Sequence, residues 1–225
     1  MIPLRDTIPA RRTAWVTRLL IVINVVAFVL EIRQGQALDA FVYRFGVVPA
    51  HWFVSSPSDF LDWPHLFLTL LTAQFLHGSV LHLGANMLYL WIFADNVEDR
   101  LGHQRFLLLY LASGIIAGVA QLLVSPRSSI PMVGASGAIA GVLGAYLLMF
   151  PSARILTLVP LGFFWDTIEI PAFIFLGLWF LLQWFQGLTT IGQVADVGGV
   201  AFWAHIGGFI SGMLGIVLLR PRRRW

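Results

Sequence analysis

The sequence predicts an all-α membrane protein built from six spanning helices. Two observations indicate this class: 58% of the 225 residues are hydrophobic and only 11% are charged, and the mean hydropathy is +0.83. Soluble domains carry about 25% charged residues, so a lipid bilayer is the solvent that fits this composition. We expect one membrane domain over residues 1–225, with short tails at 1–13 and 220–225.

Six apolar segments are candidates to cross the bilayer, which takes about 20 mostly apolar residues per helix. They are residues 14–30, 81–97, 106–124, 136–150, 170–185 and 199–219. Several are short, which indicates a thin or tilted bundle. No convincing small-residue cleavage site follows the first segment, so we expect it to be retained as a span.

The basic residues set the predicted orientation. All fourteen are arginine. Ten of them fall in the two tails and in the connections after spans two and four, against three on the other side. Arginine accumulates on the cytoplasmic side of membrane proteins, so both termini are expected in the cytoplasm. Because these arginines flank apolar segments and form no patch, we expect no nucleic-acid partner.

The long connection between spans one and two is rich in large aromatic side chains. Amphipathic rings favour the headgroup level of a bilayer, and so many apolar groups are unfavourable in bulk water. We therefore expect part of this connection to lie in the membrane interface, although an ordinary loop remains the alternative. The aromatic residues are Phe41, Phe45, Trp52, Phe53, Phe60, Trp63 and Phe67.

Three spans carry polar side chains at one depth. In the predicted topology spans two, four and six enter from the outer side, and their outer ends carry His82 with Asn86, Ser136, and His205. Residues 82 and 86 are four apart and share a helical face. Spans three and five are expected to carry nothing comparable there. Polar residues inside a membrane are costly and often functional.

Each of these residues also has an ordinary structural explanation. A single buried serine usually bonds a carbonyl of its own helix, and histidine or asparagine often joins helices in membranes. Their shared depth favours a common site. Small residues near the polar groups support this interpretation, because they let helices approach closer than the usual 8–10 Å or so. These residues are Gly137 and Gly141 in span four, and Gly208 and Gly212 in span six.

A serine and an imidazole in contact can perform acyl transfer. His205 would take the hydroxyl proton, Ser136 would attack a carbonyl, and His205 would protonate the leaving amine. His82, Asn86 and the backbone N–H of Ser136 are donors for the developing oxyanion. The sequence places no carboxylate to orient the base, so we expect a dyad.

The residue inventory also bears on other chemistries. The chain has no cysteine, which excludes disulfides and thiolate chemistry. Two histidines without a carboxylate or thiolate partner are a thin ligand set for zinc. We therefore expect no metal site at these histidines.

Four motifs resemble the rhomboid intramembrane serine proteases. They are HLGAN in span two, FADNVEDRLG after it, GASG opening span four and AHIGGFISG in span six. The resemblance covers nearly the whole chain in order. It implies a six-helix bundle with a cavity open to the outer side. It also implies Ser136 as nucleophile, His205 as base, an oxyanion site from His82, Asn86 and the Ser136 amide, and Gly134 in the adjacent loop.

The same resemblance implies a cofactor-free protease acting on membrane-protein substrates, in the basic bacterial form found in the inner membrane. Two features depart from the family. Some members carry a Trp-Arg pair in the first outer connection, which is absent here. Some have an aromatic residue four positions after the nucleophile that stacks on the base, where this chain has Ala140. We expect Trp203, Phe202 or span two to hold the His205 ring instead.

A helix in lipid hides its peptide bonds in internal hydrogen bonds. We therefore expect cleavage of single-span or multi-span proteins near the outer end of a span, at small or helix-breaking residues, after lateral entry. Span five is bulky, and plain lipid contact is a simpler explanation for its side chains than a gate. These side chains are Phe173, Phe175, Leu176, Trp179, Phe180, Trp184 and Phe185.

Two rival functions use the same polar layer. A transporter or channel would favour paired charges and a polar path across the membrane, but the inner halves of spans four and six, LGAYLLMF and SGMLGIVLL, are apolar. A catalytically inactive relative that binds membrane proteins is the other alternative, and the intact Ser136 and His205 weigh against it.

Overall fold

The computed structural model describes residues 1–53, 63–162, 164–191 and 200–219. Phe60, Gly199 at the start of the predicted sixth span, and the tail at 220–225 lie outside these ranges. The elements, in chain order, are β1 (Ile2–Asp6), α1 (Trp15–Ile32), α2 (Leu38–Phe45), α3 (Pro49–Phe53), α4 (Trp63–Thr72), α5 (Val80–Leu101), α6 (His103–Val124), α7 (Ser136–Met149), β2 (Arg154–Leu161), β3 (Phe164–Pro171), α8 (Ala172–Thr190) and α9 (Phe202–Leu219).

The six predicted apolar segments coincide with six helices, namely α1 and α5 to α9. Four of these, α1, α6, α8 and α9, are long and apolar enough to cross a membrane. A fifth candidate is the pair formed by residues 63–75 and α5, which is bent by 81° at its break. The apolar helix α7 has only 14 residues. The structure is thus a mostly helical, multi-pass membrane bundle.

Helix α7 lies at the centre of the bundle. Every residue from 137 to 146 is buried, so the helix is covered on all its faces by protein. A helix that is apolar all round belongs in a core, and the sequence of α7 has no polar face to present elsewhere. We call the end of the bundle at which α7 begins, with Ser136, the serine end. The last turn of α7 leads into a β-sheet at the opposite end, which we call the sheet end.

A buried carboxylate fixes α1 against α5. Glu98 is 1% exposed and accepts hydrogen bonds from the backbone N–H groups of Val16 and Thr17, at 2.9 and 2.8 Å, and from the Thr17 hydroxyl at 2.6 Å. The first N–H groups of a helix lack partners within the helix. Glu98 therefore caps α1 from a neighbouring helix, and the predicted motif FADNVEDRLG has this structural role.

The sequence-based expectation of an all-α fold is incomplete, because a three-stranded antiparallel sheet with the order β1-β2-β3 covers the sheet end. Strands β2 and β3 form a hairpin from Arg154↔Pro171 to Leu161↔Phe164, and β1 joins β2 with Ile2 opposite Leu158. Hence α8 begins at Ala172, after Pro171 ends β3, and not at residue 170.

One carboxylate ties the N-terminal strand to the helices. Asp6 accepts hydrogen bonds from the Tyr146 hydroxyl at 2.6 Å and from the Asn96 amide at 2.8 Å. Burial raises the pKa of Asp6, while the bond from Tyr146 lowers it. Burial outweighs this bond, so the pKa of Asp6 in the folded protein is raised. Its contribution therefore favours the folded state at low pH and is lost as the pH rises through the pKa of Asp6.

The described residues of the long connection include helices α2, α3 and α4. Its rings form a cluster in which Phe67 lies 5.2 Å from Trp52 and 5.9 Å from Trp63, measured between ring centroids. Aromatic pairs at this spacing favour tilted or edge-on contacts. The expected position of this segment in the membrane interface stays a prediction.

Candidate active site

Ser136 is the first residue of α7, and the loop before it is held in an extended path. Val47 and Met132 exchange backbone hydrogen bonds of 3.1 and 2.7 Å, and the N–H of Gly134 donates to the carbonyl of Ala73 at 2.9 Å. Gly134 has φ +130°, a conformation that favours glycine. A Cβ there would lie 2.8 Å from the His82 ring. Glycine at this position therefore lets the loop pass directly against the imidazole.

Helices α7 and α9 touch through backbone atoms. A Cβ on Gly208 would collide with the carbonyl oxygen of Gly137, and one on Gly212 with that of Gly141. The other side of α7 packs on α6, where a Cβ on Gly141 would meet the Ser113 side chain. The four glycines singled out in the sequence thus lie at close helix contacts. Their position brings the first turns of α7 and α9 within side-chain reach.

This close packing makes a prediction. Gly212→Ala should destabilise the protein by about 1–3 kcal/mol, because a methyl group would have to push apart two backbones. The separation should also move the first turns of α7 and α9 apart. Thermal unfolding in detergent measures the loss of stability.

Gly84→Ala on α5 is the matched control, because nothing lies within 4 Å of the added Cβ. Alanine is the better helix former, so this variant should be as stable as the unmodified protein or slightly more stable. Equal stability of the two variants would contradict the proposed role of the α7–α9 contact.

The serine and the histidine meet where these helices cross. His205 Nε2 lies 2.8 Å from Ser136 Oγ, and His205 Nδ1 lies 2.7 Å from Gln183 Oε1. The Trp179 ring is 5.8 Å from the imidazole between centroids. Both members of the pair are half-buried. A hydroxyl and an imidazole nitrogen at this distance have the geometry of a nucleophile and its base.

His82 and Asn86 share the cavity with this pair. The N–H of His82 donates to the Ser79 hydroxyl at 3.1 Å, so Ser79 caps α5 and fixes the turn that carries the imidazole. Asn86 is 7% exposed, and its Nδ2 atom makes no hydrogen bond to any residue that the structure describes. A buried donor without a partner is unfavourable, and here it is free to serve a ligand.

All four polar residues line one cavity of about 710 Å³. This volume is typical of sites that hold an organic ligand or a short peptide segment. The wall is largely apolar, with small residues of α6 such as Gly114 and Gly118 on the side facing the loop at 130–134. Within the described ranges, no group of three histidine or carboxylate side chains is placed to hold a metal ion.

Sequence reasoning missed one residue beside the base and assigned another a contact that the structure does not record. Span five was expected to carry no comparable polar group, but Gln183 of α8 is buried and contacts His205. Trp203 does not hold the imidazole. Its Nε1 atom donates to the carbonyl of Gly187 at 3.1 Å and so joins α9 to α8. The only available signal was a single glutamine within an otherwise apolar span, which is costly without a partner.

Span three also carries polar groups near the site. Gln121 Oε1 accepts the backbone N–H of Ala204 at 3.3 Å, next to His205. A further histidine, His77, has its ring 5.1 Å from that of His82, between centroids. Its backbone N–H donates to the buried carboxylate of Glu31 at 2.9 Å. The bond from Ala204 to Gln121 holds the first turn of α9 in place. The bond from His77 to Glu31 holds the segment that leads into α5.

The aromatic residues of α8 divide between two faces. Phe173 and Phe185 are exposed, at 55% and 62%, as lipid contact predicts. Phe175, in contrast, is 4% exposed and lies 6.3 Å from Phe93 between centroids. Trp179 packs against His205 and Phe209. The interpretation of these two side chains as lipid-facing was wrong, because one face of α8 is exposed and the other packs against the bundle interior.

The central helix of this apolar bundle begins with a serine in contact with a histidine. The fold and the site therefore define a multi-pass membrane protein with a serine–histidine pair in an internal cavity. A family model for the rhomboid domain matches residues 64–222. The chain belongs to the rhomboid family.

Similar proteins come from bacteria and from mitochondria. The chain is 34% identical over 184 residues to the rhomboid protease GluP of Bacillus subtilis, and the matched region covers 82% of this chain and 31% of GluP. It is 30% identical over 151 residues to the mitochondrial rhomboid protein 1 of Saccharomyces cerevisiae, covering 65% of this chain and 40% of that protein. It is 28% identical over 239 residues to the mitochondrial RHOMBOID-like protein 6 of Arabidopsis thaliana, covering 95% and 72%. The chain thus spans less than half the length of the first two relatives.

Proposed function

We propose that the protein is an intramembrane serine endopeptidase that cleaves transmembrane segments of other membrane proteins with a Ser136–His205 dyad. The observation that carries this proposal is the 2.8 Å contact between Ser136 Oγ and His205 Nε2 inside a cavity lined by His82 and Asn86. A relative named as a rhomboid protease, GluP, supports a proteolytic activity. In this proposal the four glycines of α7 and α9 are packing supports and Gly134 belongs to the substrate-binding loop.

The first half of the reaction forms an acyl-enzyme. His205 Nε2 accepts the Ser136 proton while Oγ bonds to the substrate carbonyl carbon, and the carbonyl π electrons move to oxygen. His82, Asn86 and the Ser136 amide donate hydrogen bonds to this oxyanion. The C–N bond then breaks, and the proton on Nε2 passes to the departing amine.

The second half releases the new carboxyl terminus. A water molecule loses a proton to His205 Nε2 and attacks the ester carbon, which regenerates the oxyanion. When it collapses, the Ser136 oxygen leaves and takes the proton back from Nε2. No metal or cofactor takes part in this scheme, since the imidazole performs both proton transfers.

The site determines which peptide bonds are accessible. A helical substrate must present an extended carbonyl, because helical peptide groups are already hydrogen-bonded. We propose that single-span or multi-span substrates enter laterally from the bilayer and are cut near the serine end of the bundle, at small or helix-breaking residues.

The arginine distribution supports an orientation for this arrangement. We propose six spans, formed by α1 and α5 to α9, with both termini in the cytoplasm and the cavity open to the opposite side. The short α7 would then be a span shielded from lipid on all sides. We further propose the inner membrane of a bacterium as the location. Because some relatives are mitochondrial, a mitochondrial membrane is the alternative location to test.

The test is cleavage of a labelled single-span protein by the protein purified in detergent, with a fluorophosphonate as an independent probe. We expect two fragments from the substrate and a covalent adduct on Ser136, located by mass spectrometry of the labelled peptide. The adduct needs only an activated serine and no membrane substrate.

The alternatives predict different results. A catalytically inactive binding protein would retain the substrate without cutting it and would not be labelled. Cleavage that persists in the Ser136→Ala variant would mean that another residue or a contaminant performs the reaction.

A further inference from the structure

We infer that Gln183 is the positioning residue of the base, because it accepts a hydrogen bond from the Nδ1–H group of His205. Gln183 belongs to α8, so the base is correctly oriented only while α8 is seated against α9. This inference rests on the proposed function and extends it to a residue on a different helix from the dyad. The sequence alone gave no role to this glutamine.

The contact is specific and shielded. Gln183 is 9% exposed, and its Oε1 atom lies 2.7 Å from His205 Nδ1. The neighbouring residues on α8, Leu182 and Trp184, are exposed, so the amide faces the bundle interior from an otherwise apolar span. A buried amide without partners is unfavourable, and His205 supplies the partner.

The dyad needs a defined tautomer. If Nε2 is to accept the Ser136 proton it must carry none itself, so the single ring proton of neutral imidazole must be on Nδ1. That N–H group faces the buried Gln183 side chain. It therefore needs a hydrogen-bond acceptor from the protein. The acceptor recorded within hydrogen-bond distance of Nδ1, in the part of the chain that the structure describes, is Gln183 Oε1. A carboxamide accepts through Oε1 without placing a negative charge in the membrane.

The imidazole is held from α8 on two sides. Trp179 lies one turn before Gln183 on the same helix and packs against the ring. At the serine end of α8, the Gly187 carbonyl accepts the Trp203 indole N–H from α9. The serine, by contrast, is on the central helix α7. Displacement of α8 would therefore take the acceptor away from the base while leaving the nucleophile in place.

The first experiment compares Gln183→Met and Gln183→Glu with the unmodified protein. Methionine keeps the length and flexibility of the side chain but accepts no strong hydrogen bond, so the rates of cleavage and of fluorophosphonate labelling should fall by about 10- to 100-fold. Glutamate restores the acceptor, so activity should return. The acidic limb of the pH–rate profile should also move to higher pH, because a carboxylate favours the protonated imidazole.

Gln186→Leu is the matched control, since Gln186 is an exposed glutamine three residues along the same helix. It should label and cleave at the unmodified rate. Should Gln183→Met fail to fold in a thermal unfolding assay, the shift of the Gln183→Glu pH profile decides the question. An unchanged rate in Gln183→Met, or an unshifted profile in Gln183→Glu, overturns the inference. Loss of labelling in Ser136→Ala separates this outcome from failure of the proposed function.

A second experiment tests the role of α8. A Cβ on Gly187 would lie 3.5 Å from that of Phe202 on α9, which suits a disulfide, and the chain has no cysteine of its own. The oxidised double variant Gly187→Cys, Phe202→Cys should be labelled by the small fluorophosphonate at least as fast as its reduced form. Slower labelling in the oxidised form would show that the seated position of α8 is not the one that orients the base.

Discussion

Replacing His205 with alanine is expected to lower cleavage of a membrane substrate by about 10⁴-fold or more. The Ser136 hydroxyl would remain, but the base 2.8 Å from it would be gone. An unactivated serine is a weak nucleophile. Ser136→Ala should cause a loss of the same size, measured as turnover of the labelled single-span protein.

The double variant gives the sharper result. Serine and imidazole act as one unit, so removing both should cost no more than removing either. His65→Ala and Ser152→Ala are matched controls, because both side chains are exposed and lie outside the cavity. Losses that multiply in the double variant would mean that the two residues act independently, and the proposed dyad would be wrong.

Replacing Asn86 with alanine is expected to lower kcat by about 10²- to 10³-fold with little change in KM. Among the described residues, the Nδ2 atom of Asn86 has no hydrogen-bond partner, so it can donate to an oxyanion without first breaking another bond. Donors that meet charge only in the transition state affect kcat more than substrate binding. His82→Ala should act in the same direction.

Asn96→Ala on the same helix is the comparison for this second prediction. Asn96 donates to Asp6 at the sheet end, so its loss should lower thermal stability and leave the kcat of the folded protein unchanged. A large rise in KM with an unchanged kcat for Asn86→Ala would assign that residue to substrate binding and not to the oxyanion.

The helices could be predicted because each apolar segment must satisfy its backbone within itself in lipid. Segment 136–150 and helix α7 begin at the same serine. The sheet could not be predicted in this way. Its strands pair Ile2 with Leu158, residues whose partnership depends on where the N-terminal segment lies in space, and strand patterns of this length do not stand out in an apolar chain.

The shared depth of the polar residues and the nearby small residues predicted one common site. Ser136, His205, His82 and Asn86 do line one cavity. The sequence could not show that α8 supplies the contacts to the imidazole. A single glutamine in an apolar span gives no sign of the face on which it lies or of the atom it meets, because the rotation of α8 is decided by its packing on Phe93 and Phe209.

By itself, the sequence determined that the chain is an apolar helical bundle, which helices form it, and that a hydroxyl and an imidazole lie near one end. These properties depend on the length and composition of separate segments in lipid. Tertiary structure alone decided that the two groups are 2.8 Å apart, that Gln183 meets the far side of the ring, and that a sheet covers the opposite end. Such contacts join residues far apart in the chain, and only the packing of whole helices against one another sets their distances.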